Sequence, residues 1–395
     1  MKLRGGFDLT YCSNIHAGES WADVRGALAS ALPDVRRHLG TTGPLAIGLR
    51  LSAQAAEELE QPAALEAFTR FLRDGNYYVP TINGFPFGAF HRARVKETVY
   101  LPDWRDRRRI DYSNRLARVL AALLIDRGLT EGSISTVPGA FKGHAGAPED
   151  QAAIARGILQ HAEQLAALRD STGVTIALAI EPEPACVIET TDEAIDFFTR
   201  YLLDESFVRA GSRLTVEQVR RHVGICFDAC HMAVEFEDHA ASLAALDRAG
   251  IRVPKFQISA ALRVSDPSVG SPGRRALEKF ADGVYLHQVV AKSGHTLRRY
   301  VDLPDALAGA SKDAPQREEW RIHFHVPVFL GVMGDLETTQ PDLEAVLDLI
   351  KKRTDAPCLE VETYTWDVLP VEHRTSEMSE AIARELSWTR QRMEA

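Results

Sequence analysis

The chain has 395 residues, 45% of them hydrophobic and 26% charged, enough to bury a large core. Its 46 basic residues against 55 acidic ones give a formal charge of −9, which argues against a nucleic-acid partner, because binding phosphate backbones usually wants a basic face. No apolar run reaches membrane-spanning length, and the N-terminus MKLRGGFDLT lacks the apolar stretch of a secretion signal, so a cytoplasmic protein is expected.

Short apolar runs alternate with longer amphipathic ones along the chain. Strands are predicted at Asp8 to Asn14, Pro44 to Leu51, Tyr77 to Asn83, Gly132 to Val137, Val174 to Glu181, Val223 to Asp228, Val253 to Ser259 and Pro357 to Tyr364. Between them, apolar residues recurring every three or four positions predict helices over Ser20 to His38, Ala53 to Arg73, Asp111 to Arg127, Pro148 to Asp170 and Asp192 to Leu203. Further helices are expected near Asp238 to Ala249, Arg274 to Ala281, Asp342 to Lys352 and Thr375 to Arg392. Strand and helix in eightfold alternation predict a single α/β domain, a (β/α)8 TIM barrel spanning 1–395; a doubly wound open sheet is the alternative. Two segments exceed a minimal barrel. One, about 85–109, follows strand 3, and its polar, Pro/Gly-rich first part suits a lid. The other, 283–331, lies between strands 7 and 8 and holds the strand-like pieces VYLHQVV and RIHFHVPVF, either an inserted hairpin or a replacement for one barrel strand. The five cysteines form no C-x-x-C pair and read as reduced, mostly buried thiols.

In a barrel, polar residues at the C-terminal ends of the strands converge on one mouth. Those ends are rich in carboxylate and imidazole. Strand 5 ends in Glu181, with Glu183 two positions on; strand 6 ends in Asp228, with His231 beyond the turn; strand 7 offers Gln257; strand 8 presents Glu360 and Glu362 on one face. The second insertion adds His323 and His325, also on one face of their strand. Buried carboxylates grouped together repel one another, and a divalent cation removes the conflict. Oxygen-rich ligation suits Mn²⁺, Mg²⁺ or Co²⁺, whereas a histidine-rich site suits Zn²⁺. Ion pairs with Lys142 or Lys255 are the competing explanation. Taken alone, Asp228 reads equally as the N-cap of the next helix. Asn14, His16 and Glu19 follow strand 1 and either line the mouth or open a helix. Lys142, after strand 4, is a candidate for an anionic substrate group, as are His91 and Lys96 in the first insertion. No P-loop, G-x-G-x-x-G after strand 1 or G-x-S-x-G elbow occurs, which argues against nucleotide-dependent dehydrogenases and α/β-hydrolases.

The segments IEPEP, FDACH and LEVETYTW resemble the xylose-isomerase-like superfamily of TIM barrels, which includes sugar and sugar-phosphate isomerases and epimerases and endonuclease IV. The resemblance implies one divalent metal held by Glu181, Asp228 and Glu362, the two glutamates also serving as acid and base, with His231 at the substrate. The family's fourth ligand is a histidine after strand 7, where this chain has Gln257. Either the Gln257 amide oxygen replaces it, or His325 or His323 supplies it, or the metal site is degenerate. The stretches TYCSNIHAGESW, INGFPFGAFH, HFHVPVF and VETYTWDVLP are more specifically similar to the EboE metabolite-traffic branch. The expected function is metal-dependent isomerisation or epimerisation of a small sugar-like carbonyl compound through an enediolate, with His16, Lys142 and His323 also facing substrate. The alternatives are a metabolite-binding barrel without catalysis and an endonuclease IV-like nuclease, the latter disfavoured by the acidic balance.

Overall fold

The computed structural model describes residues 1–90, 95–281, 283–309, 318–367, 369–370 and 377–395. Its strands are β1 (Asp8–Tyr11), β2 (Leu45–Arg50), β3 (Tyr77–Asn83), β4 (Glu131–Thr136), β5 (Thr175–Ile180), β6 (Val223–Asp228), β7 (Lys255–Ile258), β8 (Ala260–Val264), β9 (Val289–Ser293), β10 (Thr296–Tyr300), β11 (Glu318–Val326), β12 (Val332–Met333), β13 (Leu336–Thr338) and β14 (Cys358–Val361). Eight of them form one parallel sheet in the order β1-β14-β7-β6-β5-β4-β3-β2. A parallel bridge between Cys12 and Gly48 carries the β1 edge onto β2, so the sheet is wrapped into a barrel. This is the predicted (β/α)8 architecture, and the open-sheet alternative falls away.

Helices cover the barrel with boundaries set by local chemistry. Trp21–Leu39 begins at a capping box between Ser20 and Asp23 and ends at Gly40 in the left-handed conformation. The predicted helix over Ala53 to Arg73 is two helices, Ala53–Leu59 and Pro62–Asp74, because Pro62 lacks an N–H and starts a new helix at its first position. The helix predicted from Asp192 runs over Thr191–Phe197 and widens into a π turn over Phe198–Leu202.

The second insertion is larger than the sequence pattern suggested. After β7 the chain continues through Ser259 straight into β8, so one extended segment serves two sheets. The second sheet is antiparallel and six-stranded, in the order β10-β9-β11-β8-β13-β12. The last two residues of VYLHQVV open β9, most of RIHFHVPVF lies in β11, the two strands pair with each other, and neither displaces a barrel strand. The helix predicted at Arg274 to Ala281, observed as Pro272–Leu277, belongs to this insertion rather than to the barrel. Above the mouth, Val95 and Lys96 of the first insertion donate backbone N–H groups to the Val284 carbonyl, and Lys96 Nζ lies 2.5 Å from Asp302, so the two insertions meet. His91 lies outside the described residues.

The barrel interior explains how long polar side chains fit inside. Inward positions on β2, β4 and β5 are small: Gly48, Ser133, Ser135, Ala177 and Ala179. Across from them stand Lys255 and Glu360, fully buried, with Nζ 2.5 Å from the carboxylate and 3.1 Å from Ser135 Oγ. A Cβ at position 48 would lie 1.5 Å from Glu360 Oε2, so glycine is required for the pair to exist. Burial would lower the Lys255 pKa, yet the Glu360 charge holds it above its ordinary value. Removing one member of such a pair strands the other charge in the core. Lys255→Met is therefore expected to cost about 3–5 kcal/mol in denaturant unfolding, and the double variant Lys255→Met/Glu360→Leu to recover most of it. A loss that the second substitution does not reduce would contradict this account.

Candidate metal centre and active site

Three acidic side chains from non-adjacent points in the sequence converge where the barrel strands end. Glu181 follows β5 and is held by its N–H to the Thr136 carbonyl at 3.1 Å; Glu362 follows β14 and is held by its N–H to Ile258 at 3.2 Å. Asp228 ends β6. The ligand oxygens of Glu181, Asp228 and Glu362 lie within 4.8 Å of one another, and all three residues are buried.

Asp228 answers both readings of its sequence. Its Oδ1 accepts from the His231 backbone N–H at 3.0 Å, capping the helix Ala229–Val234, and from Ser259 Oγ at 2.7 Å. Its Oδ2 is buried and has no hydrogen-bond partner among the described residues, as is also true of Glu181 Oε2. Glu362 Oε1 accepts from Asn14 Nδ2 at 2.7 Å and Asn83 Nδ2 at 2.9 Å, so that carboxylate is aimed while its second oxygen is left to the site. Burial, followed by the charges of Asp228 and Glu360, raises the Glu362 pKa to about 8. Burial, then Glu362 and Asp228, pushes Glu181 well above its ordinary value. The basic group that opposes these shifts is Lys255, and it is engaged with Glu360. Orphaned carboxylate oxygens facing one another in a buried site fit a divalent cation, which would be held by Glu181, Asp228 and Glu362.

Gln257 lies in register with both Asp228 and Glu360, fully buried, and neither its Oε1 nor its Nε2 has a hydrogen-bond partner among the described residues. It therefore sits beside the acidic cluster, between Asp228 on one neighbouring strand and Glu360 on the other. His325 and His323 come from β11, which crosses the mouth from the second sheet. His325 groups with Asp228 and His231, and not with the ligand oxygens of Glu181 and Glu362. Its Nδ1 bonds the Glu362 carbonyl at 2.7 Å.

These groups open onto a cleft enclosing about 560 Å³ of atom-free space, part of it continuous with solvent. Its polar floor is Glu181, Glu183, Glu362, Asn14 and the three histidines, and its walls are aromatic, including Phe90 and Tyr285, each of which meets Tyr364 edge to face. Glu183 accepts from Tyr100 Oη at 2.7 Å and from Gln288 at 3.3 Å.

Two expected substrate contacts lie elsewhere. His16 leans on Tyr11 Oη at 3.2 Å and faces a separate small depression, because the chain turns away after Ile15 and leaves Asn14 pointing inward. Lys142 reaches Glu189 at 2.6 Å and Glu193 at 2.8 Å in a different hollow, so its charge is spent on carboxylates of the β5–β6 connection. Glu19 pairs with Arg50 at 3.1 Å. Conversely, Asn83, Tyr100 and Gln288 were not singled out from the sequence. An asparagine closing a strand looks like a turn residue, and the other two lie in insertions without periodic pattern.

No protein-family model matches the chain, and no characterised protein matches it by sequence. Solved structures match its fold. A xylose isomerase-like TIM barrel protein from Mycobacterium smegmatis, in complex with magnesium, is 13% identical, with 100% of this chain and 99% of that one covered and a TM-score of 0.53. More distant likenesses include an IolI protein with a binding zinc atom (13% identity, 97% and 96% covered, TM-score 0.47) and D-allulose 3-epimerase from Methylomonas sp. in complex with D-allulose (14%, 99% and 99%, 0.46). At this identity the likeness to the M. smegmatis protein establishes the fold, a TIM barrel.

The raised carboxylate values have a defined pH consequence for metal-free protein. A glutamate whose folded pKa is raised contributes stability that is present below its unfolded value and is lost as pH rises through the folded one. For Glu362 that window runs from 4.5 to about 8. Melting temperature in chelator should therefore fall across this window, and saturating Mn²⁺ should flatten the slope by keeping the carboxylates ionised. Equal slopes with and without Mn²⁺ would contradict the assignment.

Proposed function

We propose that the protein is a divalent-metal-dependent isomerase or epimerase of a small polyhydroxylated carbonyl compound. The observation that carries the reading is the pair Glu181 and Glu362, buried across one site, each held above the ordinary carboxylate range and each next to the orphaned oxygens of the acidic cluster. Carboxyl groups raised above their ordinary range suit proton exchange at working pH. In this reading one glutamate removes a proton from the carbon beside the carbonyl, and the other returns a proton to the neighbouring carbon or to the opposite face. Asn14 and Asn83 fix the Glu362 carboxylate during the transfer. Asp228, tied by Ser259 and its own helix, contributes a ligand oxygen and no proton. A divalent ion bound by these residues supplies Lewis-acid stabilisation of negative charge developing on the substrate oxygens. The magnesium bound to the M. smegmatis barrel supports the same reading.

The aromatic walls suit the apolar faces of a sugar ring or chain, and the buried carboxylates and amides suit its hydroxyls. Small aldoses and ketoses are accordingly the substrates to screen. The second reading is a barrel that binds and passes on a metabolite without turnover; Gln257, in place of the family's fourth ligand, and the EboE-like stretches favour it.

With a panel of aldoses and ketoses and added Mn²⁺, the protein should exchange the carbon-bound proton for solvent deuterium, followed by NMR. Glu181→Gln and Glu362→Gln should each reduce exchange by at least 10³-fold, in the range typical of lost acid–base groups, about 10²–10⁴. Full exchange in either variant would overturn the mechanism. Tight binding of a panel member without any exchange would favour the second reading.

A further inference from the structure

His231, His323 and His325 meet in the floor of the cleft, from the helix after β6 and from β11, and the proton transfers above do not use them. All three are buried, at 3%, 4% and 1% exposure. Their Nε2 atoms are pressed together: His231 to His323 at 3.0 Å and His323 to His325 at 3.2 Å.

The opposite ring nitrogens decide what those contacts are. His231 Nδ1 lies 2.8 Å from the Pro182 carbonyl and His325 Nδ1 lies 2.7 Å from the Glu362 carbonyl. A carbonyl only accepts, so both Nδ1 atoms carry the proton. His323 Nδ1 lies 2.7 Å from Gln288 Oε1, and the Gln288 amide is oriented by its Nε2, which donates to the Pro184 carbonyl at 3.0 Å. His323 is therefore also protonated at Nδ1. In the neutral rings, every Nε2 is a bare lone pair, and three lone pairs converge where no described residue donates to them.

Carbonyl-bound Nδ1–H groups with Nε2 atoms turned to a common point are the arrangement by which proteins orient histidine ligands. Nitrogens bound to one tetrahedral zinc at about 2.0–2.1 Å stand roughly 3.3 Å apart, close to the contacts here. Asp228 Oδ2, unpartnered and 3.6 Å from His231 Nε2, lies beside the group, and the ligand atoms of Asp228, His231 and His325 fall within 4.8 Å of one another.

We infer that His231, His323 and His325, with Asp228 Oδ2, form a second cation site, distinct from the carboxylate site and selective for a transition metal such as Zn²⁺, Co²⁺ or Fe²⁺ over Mg²⁺. Three imidazoles and one carboxylate are borderline donors, which favour those ions. His231 is then a ligand rather than the substrate contact that the superfamily resemblance implies. Asp228 links the two sites, so two ions there would act on oxygens of one bound molecule. The inference rests on the imidazole geometry and holds whether or not the protein is an isomerase.

The test is metal stoichiometry and Co²⁺ spectroscopy on the full-length protein, stripped with chelator and reloaded with Co²⁺. Wild type should bind two equivalents and show the intense visible absorption of four-coordinate Co²⁺. His323→Asn/His325→Asn, checked for unchanged melting temperature in chelator, should bind one equivalent and lose that absorption. Wild type saturating at one equivalent, or lacking the four-coordinate absorption, would overturn the inference without recourse to any variant. So would a folded His323→Asn/His325→Asn protein that keeps both equivalents and the absorption. Turnover is not read, so failure of the isomerase reading leaves this result standing.

Discussion

The arrangement of the barrel mouth follows from one electrostatic constraint: more carboxylate is buried there than the barrel's own lysine can balance. Lys255 is fully buried inside the barrel, and Glu360 occupies it at 2.5 Å. Gly48 and Ser135 are small where that pair needs the volume. At the mouth, Glu181, Asp228 and Glu362 face each other, and no described donor reaches Glu181 Oε2 or Asp228 Oδ2. An isolated ionised carboxylate in such a place is costly, so the group either takes up protons or holds a cation. The same surplus of negative charge that makes a metal necessary makes two glutamates effective at moving protons.

The two insertions act on this mouth. β7 runs on into β8 because no glycine, proline or charge interrupts Ser259 to Leu262, and that continuity fastens the antiparallel sheet directly to the barrel. β11 is thereby carried over the mouth with His323 and His325 facing down. The first insertion closes on the second through Val284 and the Lys96–Asp302 pair, and Phe90, Tyr285 and Tyr364 complete an aromatic wall from three separate segments. The barrel supplies the acids and His231, and the added sheet supplies His323, His325 and much of the enclosure.

Much of this was legible in the sequence, for physical reasons. A run such as Val223 to Phe227 is apolar at every position because both faces of a barrel strand are covered, and the abrupt acid at its end marks the mouth. Glu181 and Glu362 stand out in the same way. The two readings of Asp228, helix cap and ligand, were compatible all along, since one oxygen serves each. What stayed hidden depends on partners distant in sequence. Lys142 looked available in its glycine-flanked loop, but Glu189 and Glu193, 47 and 51 residues on, neutralise it. Asn14 and His16 were indistinguishable until the chain's turn after Ile15 sent one inward and the other toward Tyr11. Pro62 splits the Ala53 to Arg73 segment although apolar periodicity runs across it.

The most direct test of the central claim is anomalous diffraction from crystals equilibrated with Mn²⁺. The account predicts a peak within bonding distance of Glu181, Asp228 and Glu362, about 2.0–2.6 Å for oxygen ligands of hard divalent cations. A mouth without any peak at saturating Mn²⁺, with the three carboxylates paired to one another through shared protons or turned onto basic side chains, would contradict it.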